Sequence, residues 1–361
     1  MMKRTRRWLF ALILFLSVVG ISGKTESVFA FTPSDRIPNR MVFAIRALAK
    51  DNVWIGTESG AARFDGRMWN VYRVSDGLPH DVITSITIDP RDASVWFGTF
   101  GGVGHLVGGP SGRIEAFTTK NSKLVNDVVY AVTVTSPYLW AATTNGISRF
   151  NTETREWKTF NDTNAPMNEV WCYGADTDRS RGDTWFAIWG SGILKIAQDG
   201  KISGYQDPDD VFDVDVVRND GPLHEIQVSV SALDGIVYSG AYFGLTRYDG
   251  KNWNTWTVKD KDSGLPSDFI NVVKMSPDKK LVAIGTDKGL CLYNHDAGRW
   301  ATYRRSPDGK TGELKIFEKG AWRTERIPQA PAGDFIWSVD FLGDQLWVGT
   351  ASGLYTAKLD W

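Results

Sequence analysis

Short runs in which apolar and polar residues alternate recur along almost the whole chain. An alternation of period two, bounded by Gly, Pro, Asn and Asp, predicts short strands that are half buried. In the clearest unit this pattern predicts four strands, at Val42–Leu48, Asn52–Thr57, Ala61–Phe64 and Trp69–Val74. A loop punctuated by Gly and Pro follows, and four antiparallel strands per unit are typical of a β-propeller blade.

The second strand of this unit carries a phrase, Val53-Trp54-Ile55-Gly56-Thr57, that returns around the chain. Its strong and weak copies begin at Val53, Val95, Leu139, Thr184, Val237, Val282 and Leu346. Most copies are spaced by roughly 40–45 residues, which is the period of a propeller blade. A third-strand phrase that opens with Gly repeats beside it, and we expect that Gly to supply a positive φ in the turn. The repeat predicts seven blades.

The two ends of the chain predict how the ring closes. The last unit stops at Trp361 after its third strand, and Ser34–Met41 aligns with Ser75–Val82, which follows a fourth strand. The residues just before Ser34 are therefore expected to be the fourth strand of the last blade, which removes exposed sheet edges. The predicted fold is all-β: residues 31–361 form a seven-bladed β-propeller of four-stranded antiparallel blades, closed by the N-terminal strand. Insertions lengthen the repeat at Gln206–Gly221 and at Pro307–Pro331.

Residues 1–30 have the pattern of a signal peptide. A basic segment, Lys3–Arg7, precedes an apolar segment, Trp8–Ile21, and Val28-Phe29-Ala30 fits a cleavage site with small residues. The apolar segment is short for a membrane span, although an uncleaved anchor is the alternative. We expect export from a bacterium, to the periplasm, the cell surface or beyond, with no transmembrane domain other than this segment.

Composition narrows the function. The net charge is −1 and no basic stripe is present, so nucleic acid is not an expected partner. Cys172 and Cys291 fall in different blades, and we expect both to be buried and unpaired. Of the sixteen Trp residues, five belong to the second-strand phrase and are expected to pack inside the blades. Five more mark the fourth strand or its copy, at Trp69, Trp157, Trp253, Trp300 and Trp322.

The repeat resembles a known family. The units Ser75-Asp76-Gly77-Leu78-Pro79 with Val95-Trp96-Phe97-Gly98-Thr99, and Ser263-Gly264-Leu265-Pro266 with Gly285–Leu290, resemble the two-component regulator propeller repeat. The resemblance covers about residues 33–361. It implies an exported sensor domain, of the kind found in hybrid histidine kinases, several of which sense oligosaccharides. Because this chain ends at Trp361 without a kinase or receiver domain, we expect recognition and not signalling by this polypeptide alone.

One position of the repeat carries charge. Just before each first strand stand Arg40, Asp81, Asp127, Glu169, Glu225, Asp268 and Asp334. Propeller symmetry would arrange these side chains around one mouth of the central channel. One interpretation is a negative funnel or a cation site, for which carboxylate oxygens suit Ca²⁺. The alternative is that each carboxylate caps its own turn by accepting backbone N–H bonds. No cofactor besides Ca²⁺ at this acidic ring is suggested.

Aromatic residues are expected on the same face. The turns between second and third strands contain Phe100, Trp189, Tyr242 and Phe243. Trp171 and Trp337 could also reach the channel mouth. Rings beside carboxylates would form a binding surface for a sugar or a peptide, whereas packing between neighbouring blades is the alternative.

Three functional hypotheses follow. The first is a non-catalytic recognition module that binds a glycan, a peptide or an envelope protein on the acidic-ring face, including His80 and His224. The second is an exported lyase or hydrolase acting on a polysaccharide or glycoconjugate, with the pairs His80-Asp81 and His224-Glu225 as acid–base groups. The third is a structural subunit of an envelope complex. No Gly-x-Ser-x-Gly, P-loop or His-Glu-x-x-His motif is present, so no catalytic residue is assigned.

Overall fold

A computed structural model describes residues 32–34, 37–209, 218–328, 331, 333 and 335–359. The predicted signal peptide, Asp334 and Trp361 lie outside these ranges. The described residues form seven antiparallel sheets, which confirms the predicted seven-bladed propeller. The first strands of successive blades pack against one another, and the ring closes where the first strand of blade 7 meets that of blade 1. Among the described residues, no helix is long and apolar enough to cross a membrane.

In blades 1 to 6 the strands follow chain order from the central channel outward, and in blade 7 the N-terminal strand is the outermost. The strands of blade 1 are Val42–Ala49, Asn52–Thr57, Gly60–Phe64 and Trp69–Tyr72. Those of blade 2 are Ile83–Ile88, Val95–Thr99, Gly102–Val107 and Arg113–Phe117. Those of blade 3 are Val129–Thr135, Tyr138–Thr143, Gly146–Asn151 and Trp157–Phe160. Those of blade 4 are Cys172–Asp178, Asp183–Ile188, Gly192–Ile196 and Ile202–Tyr205.

The remaining blades vary more at their outer edge. The strands of blade 5 are Gln227–Leu233, Ile236–Ala241, Leu245–Tyr248 and Trp253–Trp256. Those of blade 6 are Ile270–Met275, Val282–Thr286, Gly289–Asn294, Arg299–Arg305, Gly312–Glu318 and Ala321–Ile327. Those of blade 7 are Ile336–Leu342, Gln345–Thr350, Leu354–Lys358 and the N-terminal Thr32–Pro33.

The N-terminal strand closes blade 7 as predicted. Thr32 pairs with Thr356 and Pro33 pairs with Tyr355, antiparallel to the third strand of that blade. The backbone N–H of Ser34 donates to the carbonyl of Leu354 at 2.8 Å. The first and last parts of the described chain therefore share one sheet.

Two local features differ from the regular four-stranded blade that the sequence predicts. Blade 6 has six strands, because the insertion after Arg305 folds as a hairpin that extends the sheet outward. The fourth strand of blade 1 ends at Tyr72, and Val74–Asp76 forms a short 3₁₀ helix. That helix ends at Gly77, whose φ of 109° favours glycine.

Each residue of the repeated phrase has a structural task. The second-strand Trp is buried in every blade that has one, with Trp96 only 1% exposed. A Cβ added at Gly56 would lie 2.7 Å from Cγ2 of Ile83, so the glycine lets the next blade pack closely. The hydroxyl of Thr57 donates to the carbonyl of Gly60 at 2.8 Å and holds the following turn. Gly60 has a φ of 111° there, as predicted for the opening Gly.

Buried groups in the blades behave as apolar residues. Cys172 and Cys291 are unpaired and fully buried, which confirms the prediction, and burial raises the pKa of the Cys291 thiol to about 12. His105 stacks on Trp96 with ring centroids 3.5 Å apart. Burial lowers the pKa of His105 to about 4, so its ring is neutral at pH 7.

Candidate functional site

The first strands line a central channel, and each contains one irregular residue at the same place. Pairing with the second strand shifts by one residue around the second position of the first strand in all seven blades. Such a β-bulge leaves one residue unpaired and changes the direction of its side chain. These seven bulge residues are Phe43, Thr84, Tyr130, Tyr173, Val228, Asn271 and Trp337.

All seven bulge residues line one cavity of about 410 Å³ at one end of the channel, which we call the upper mouth. The other lining residues are Met41, Phe100 and Tyr242. None of these ten described residues carries a charge at neutral pH. Six have aromatic rings, so the upper mouth is an uncharged aromatic cup of a size typical for small-ligand sites.

The rings contact one another around the mouth. One arc spans blades 2 to 6, and its successive ring centroids are 3.8–5.8 Å apart. Its members are Phe100, Tyr130, Tyr173, Trp189, Tyr242 and Phe269. A second arc joins blades 1 and 7 through Phe43, Trp337 and Phe335. We call the two arcs together the aromatic collar.

Two tyrosines of the collar, Tyr173 and Tyr242, stay protonated at neutral pH. Burial, with a smaller effect of the neighbouring Tyr130 phenol, raises the pKa of Tyr173 to about 12. Burial also raises the pKa of Tyr242. Their hydroxyl groups can therefore donate as well as accept hydrogen bonds from a ligand at pH 7.

Polar bulge residues connect neighbouring blades. The Thr84 hydroxyl donates to the carbonyl of Val129 at 2.6 Å, and Asn271 Nδ2 donates to the carbonyl of Ile336 at 3.1 Å. Each bond reaches the residue that precedes the bulge in the next blade. These two bonds tie the strand segments beside Tyr130 and Trp337 to the preceding blade.

The predicted aromatic residues divide into two groups. Phe100 and Tyr242 line the upper mouth, and Phe100 is 41% exposed. Trp189 lies in the collar between Tyr173 and Tyr242. Phe243 points elsewhere and stacks on the buried ring of His224, with centroids 4.0 Å apart.

Three carboxylates of the predicted acidic ring bind the backbone of their own loops. Asp81 accepts the N–H of Val74 at 2.9 Å, Asp127 that of Thr119 at 2.7 Å, and Asp268 that of Val258 at 2.7 Å. This is the turn-capping role of the alternative interpretation. Burial raises the pKa of Asp268.

The remaining members of that ring differ in exposure. Glu169 and Arg40 are exposed, whereas Glu225 is half buried. Asp334 lies outside the described residues. Within the described part of the chain, no three His, Cys, Asp or Glu side chains are close enough to hold a metal ion. The Ca²⁺ site stays a prediction.

His80 and His224 have equivalent roles in two interblade loops. Nδ1 of His80 accepts the N–H of Val82 at 2.9 Å, and Nδ1 of His224 accepts that of Ile226 at 3.0 Å. Other blades fill the same turn position with Asn39, Asn126 and Ser267. His80 is exposed and His224 is 3% exposed. Burial lowers the pKa of His224.

Sequence reasoning missed Phe43, Tyr130 and Tyr173 as site residues. Alternation along a strand assigns each residue to one of two faces, and a bulge interrupts that assignment. The available signal was the alignment itself, because aromatic residues recur at the second position of four first strands. Trp337 was considered for the channel mouth, and the structure places it there.

No protein-family model and no curated protein matches this chain. Solved structures do. The extracellular domain of the putative hybrid two component system BT4673 from B. thetaiotaomicron is similar with a TM-score of 0.63 and 14% identity, over 90% of this chain and 39% of that chain. The extracellular domain of the putative hybrid two component system BT3049 from the same organism has a TM-score of 0.63 and 14% identity, over 89% of this chain and 40% of that chain. BamB from Moraxella catarrhalis has a TM-score of 0.55 and 14% identity, over 91% of this chain and 98% of that chain.

These similarities bear on the fold. The two B. thetaiotaomicron domains share the architecture that the resemblance to the two-component regulator propeller repeat implies. At 14% identity the similarity to all three proteins concerns architecture alone. This chain spans about two fifths of the length of the two B. thetaiotaomicron extracellular domains.

Proposed function

We propose that this protein is an exported, sensor-type recognition propeller whose upper mouth binds a neutral glycan. The observation that carries the proposal is the aromatic collar: seven equivalent bulges aim their side chains into one uncharged cavity, and four of those side chains are rings. Similar solved structures are extracellular domains of two-component systems, which supports export and a sensor role.

The chemistry of the mouth favours a ligand with apolar faces and hydroxyl groups. Flat rings can stack on the C–H face of a sugar, and each aromatic side chain buries a large apolar area when it does so. The phenols of Tyr173 and Tyr242 can bond sugar hydroxyls. A charged ligand would lose hydration in this cup without meeting an opposite charge.

Removing two rings from the collar tests the proposal. A glycan array with the purified protein would identify a neutral oligosaccharide, and titration calorimetry would give its affinity. We expect Tyr130→Ala combined with Tyr173→Ala to weaken binding by at least about tenfold, since two stacking rings are lost.

Trp322→Ala is the matched control. This Trp is 42% exposed on the added hairpin of blade 6 and contacts Phe317, away from the channel. The control should bind like the unchanged protein. Equal affinity of the double variant and the control would contradict the proposal, as would an array on which a well-folded protein binds only charged glycans.

The other hypotheses stay predictions. A lyase built on His80 and His224 requires both rings to act on one substrate, although each ring caps a backbone turn, in the loops that lead into blades 2 and 5. A peptide, a partner protein or an envelope complex would be detected by pull-down from the native envelope.

A further inference from the structure

The opposite end of the channel has a different chemistry. A second cavity of about 380 Å³, the lower mouth, lies where the first strands end. Its charged lining residues are Arg46, Asp176, Arg179, Lys274 and Asp340. A narrow part of about 190 Å³ shares the bulge residues with the upper mouth and shares Arg46, Asp176 and Lys274 with the lower one. The two mouths are thus ends of one channel.

The repeat explains how these charges come together. The fifth position of every first strand is polar. The seven residues at this position are Arg46, Thr87, Thr133, Asp176, Ser231, Lys274 and Asp340. Because the strands surround one axis, equivalent positions form a ring, and this ring faces the lower part of the channel.

The two carboxylates of the ring are already engaged by the backbone. Asp340 of blade 7 accepts the N–H of Ala47 in blade 1 at 2.8 Å. Asp176 of blade 4 accepts the N–H of Ala232 in blade 5 at 3.1 Å. Both acids therefore connect neighbouring blades, which gives them a structural reason to be at the channel.

The cations at the lower mouth have weaker contacts than the carboxylates. Arg46 lies 3.8 Å from Asp340, and Lys274 lies 3.5 Å from Asp176, so both ion pairs are long. Among the described residues, no carboxylate oxygen lies within 4.0 Å of the Arg179 guanidinium. Asp89, which also faces Arg179, is paired with Arg91 at 3.0 Å. Three cations thus line the lower mouth with two carboxylates, and each of these carboxylates also accepts a backbone N–H from the next blade.

Two further observations indicate an unmatched site. Arg179 is exposed and lines the lower mouth together with Arg46 and Lys274, so three cationic side chains share this cavity. Thr87, on the same ring, lines the narrow part of the channel next to this mouth; it is 2% exposed, and its hydroxyl has no hydrogen-bond partner among the described residues. A buried hydroxyl without a partner is costly unless a ligand or water satisfies it.

We propose that the lower mouth is a second binding site, which takes an oxyanion group, a carboxylate or a phosphate, between Arg46, Arg179 and Lys274. A guanidinium fork binds either group through paired charge-assisted hydrogen bonds. The site is independent of ligand binding at the upper mouth, and neither site requires the other.

Titration with simple anions tests the site. The full chain without its signal segment is titrated at low ionic strength with inorganic phosphate in one arm and succinate in the other, by calorimetry and by thermal shift. We expect saturable binding of at least one anion, and the arm that saturates identifies the phosphate or the carboxylate class. Arg179→Gln should raise the dissociation constant by about tenfold or more, since it removes the charged fork.

Arg181→Gln is the matched control, because it removes the same charge from the same hairpin. Arg181 lies beside Asp178, at 3.9 Å, and donates to the carbonyl of Asp234, outside the lower-mouth lining. The control should bind like the unchanged protein. The proposal is overturned if neither anion binds more than chloride at equal ionic strength, or if the two variants lose affinity equally.

Discussion

The two mouths of the channel are built from the same seven strands and differ almost completely in chemistry. The upper mouth takes its lining from the bulge residues and is aromatic and uncharged. The lower mouth takes its charges from the fifth position of the first strands and from the hairpin of Arg179. The backbone repeat thus provides equivalent positions, and the residue type at each position decides the chemistry of that end of the channel.

At both ends of the channel, most carboxylates have a structural role because they accept hydrogen bonds from the backbone. In the upper loops, Asp81, Asp127 and Asp268 satisfy backbone N–H groups. At the lower mouth, Asp176 and Asp340 do the same between blades. In both places carboxylates accept bonds from backbone N–H groups. The other side chains that define the two mouths are aromatic rings at the upper mouth and cations at the lower mouth.

The largest expected effect comes from disturbing the scaffold that both mouths share. In Gly285→Ala the new Cβ would lie 2.6 Å from Cγ2 of Ile336, the residue before Trp337. We expect a loss of about 1–3 kcal/mol in the free energy of unfolding, because overpacking forces the strands apart. Urea denaturation measures it, and binding at the upper mouth should weaken as Trp337 shifts.

Blade 3 offers a control for that substitution. Its equivalent residue is Ala142, so Ala142→Gly makes the reverse change where a Cβ already fits. We expect this substitution to lower the free energy of unfolding by about 0.5–1 kcal/mol, because glycine adds backbone freedom to the unfolded chain. A Gly285→Ala protein as stable as the unchanged one would contradict the close-packing explanation of the repeated Gly.

The affinities of the two mouths should differ in their dependence on salt concentration, which is a smaller effect. Charges in water are screened over about 8–10 Å at physiological ionic strength. Anion affinity at the lower mouth should therefore fall by roughly fivefold or more between about 0.02 and 0.3 M sodium chloride. Affinity for a neutral glycan at the upper mouth should stay constant in the same titrations. If ligand affinity depended equally on salt at both mouths, the proposed difference between an uncharged and a cationic site would be wrong.

The smallest effect concerns the tyrosine hydroxyls. The pKa of Tyr173 is raised from about 10 to about 12 in the folded protein. Its contribution to stability is therefore fully present below pH 10 and is lost as the pH rises toward 12. Tyr173→Phe should reduce this alkaline loss and change glycan affinity by less than about tenfold.

Calorimetric titration and thermal melts between pH 7 and 12 measure both effects. The aromatic ring remains in Tyr173→Phe. If this variant lost as much glycan affinity as the double alanine variant, the hydroxyl and not stacking would provide the affinity. An alkaline transition unchanged by the substitution would contradict the assignment to Tyr173.

Much of the fold was predictable because it is repeated. The period of the Trp-containing phrase, the Gly in the following turn and the alignment of Ser34–Met41 with Ser75–Val82 led to seven blades and the closing strand, as observed. The added hairpin of blade 6 was visible as an insertion, but its pairing with Arg299–Arg305 was not. Pairing at a sheet edge depends on which strand is left open.

The site was only partly predictable. Phe100, Trp189 and Tyr242 were found because turns between strands are easy to place along the chain. Phe43, Tyr130 and Tyr173 were missed because their direction depends on bulges. Histidine beside a carboxylate suggested acid–base chemistry at His80 and His224, whereas both rings accept backbone bonds.

The sequence by itself determined the blade number, the strand order and the residues that pack inside each blade, because a periodic pattern of burial has few solutions. The tertiary structure alone decided which side chains share each mouth of the channel. The physical reason is that residues from seven blades meet there through ring closure and backbone bulges, and neither leaves a local signature in the chain.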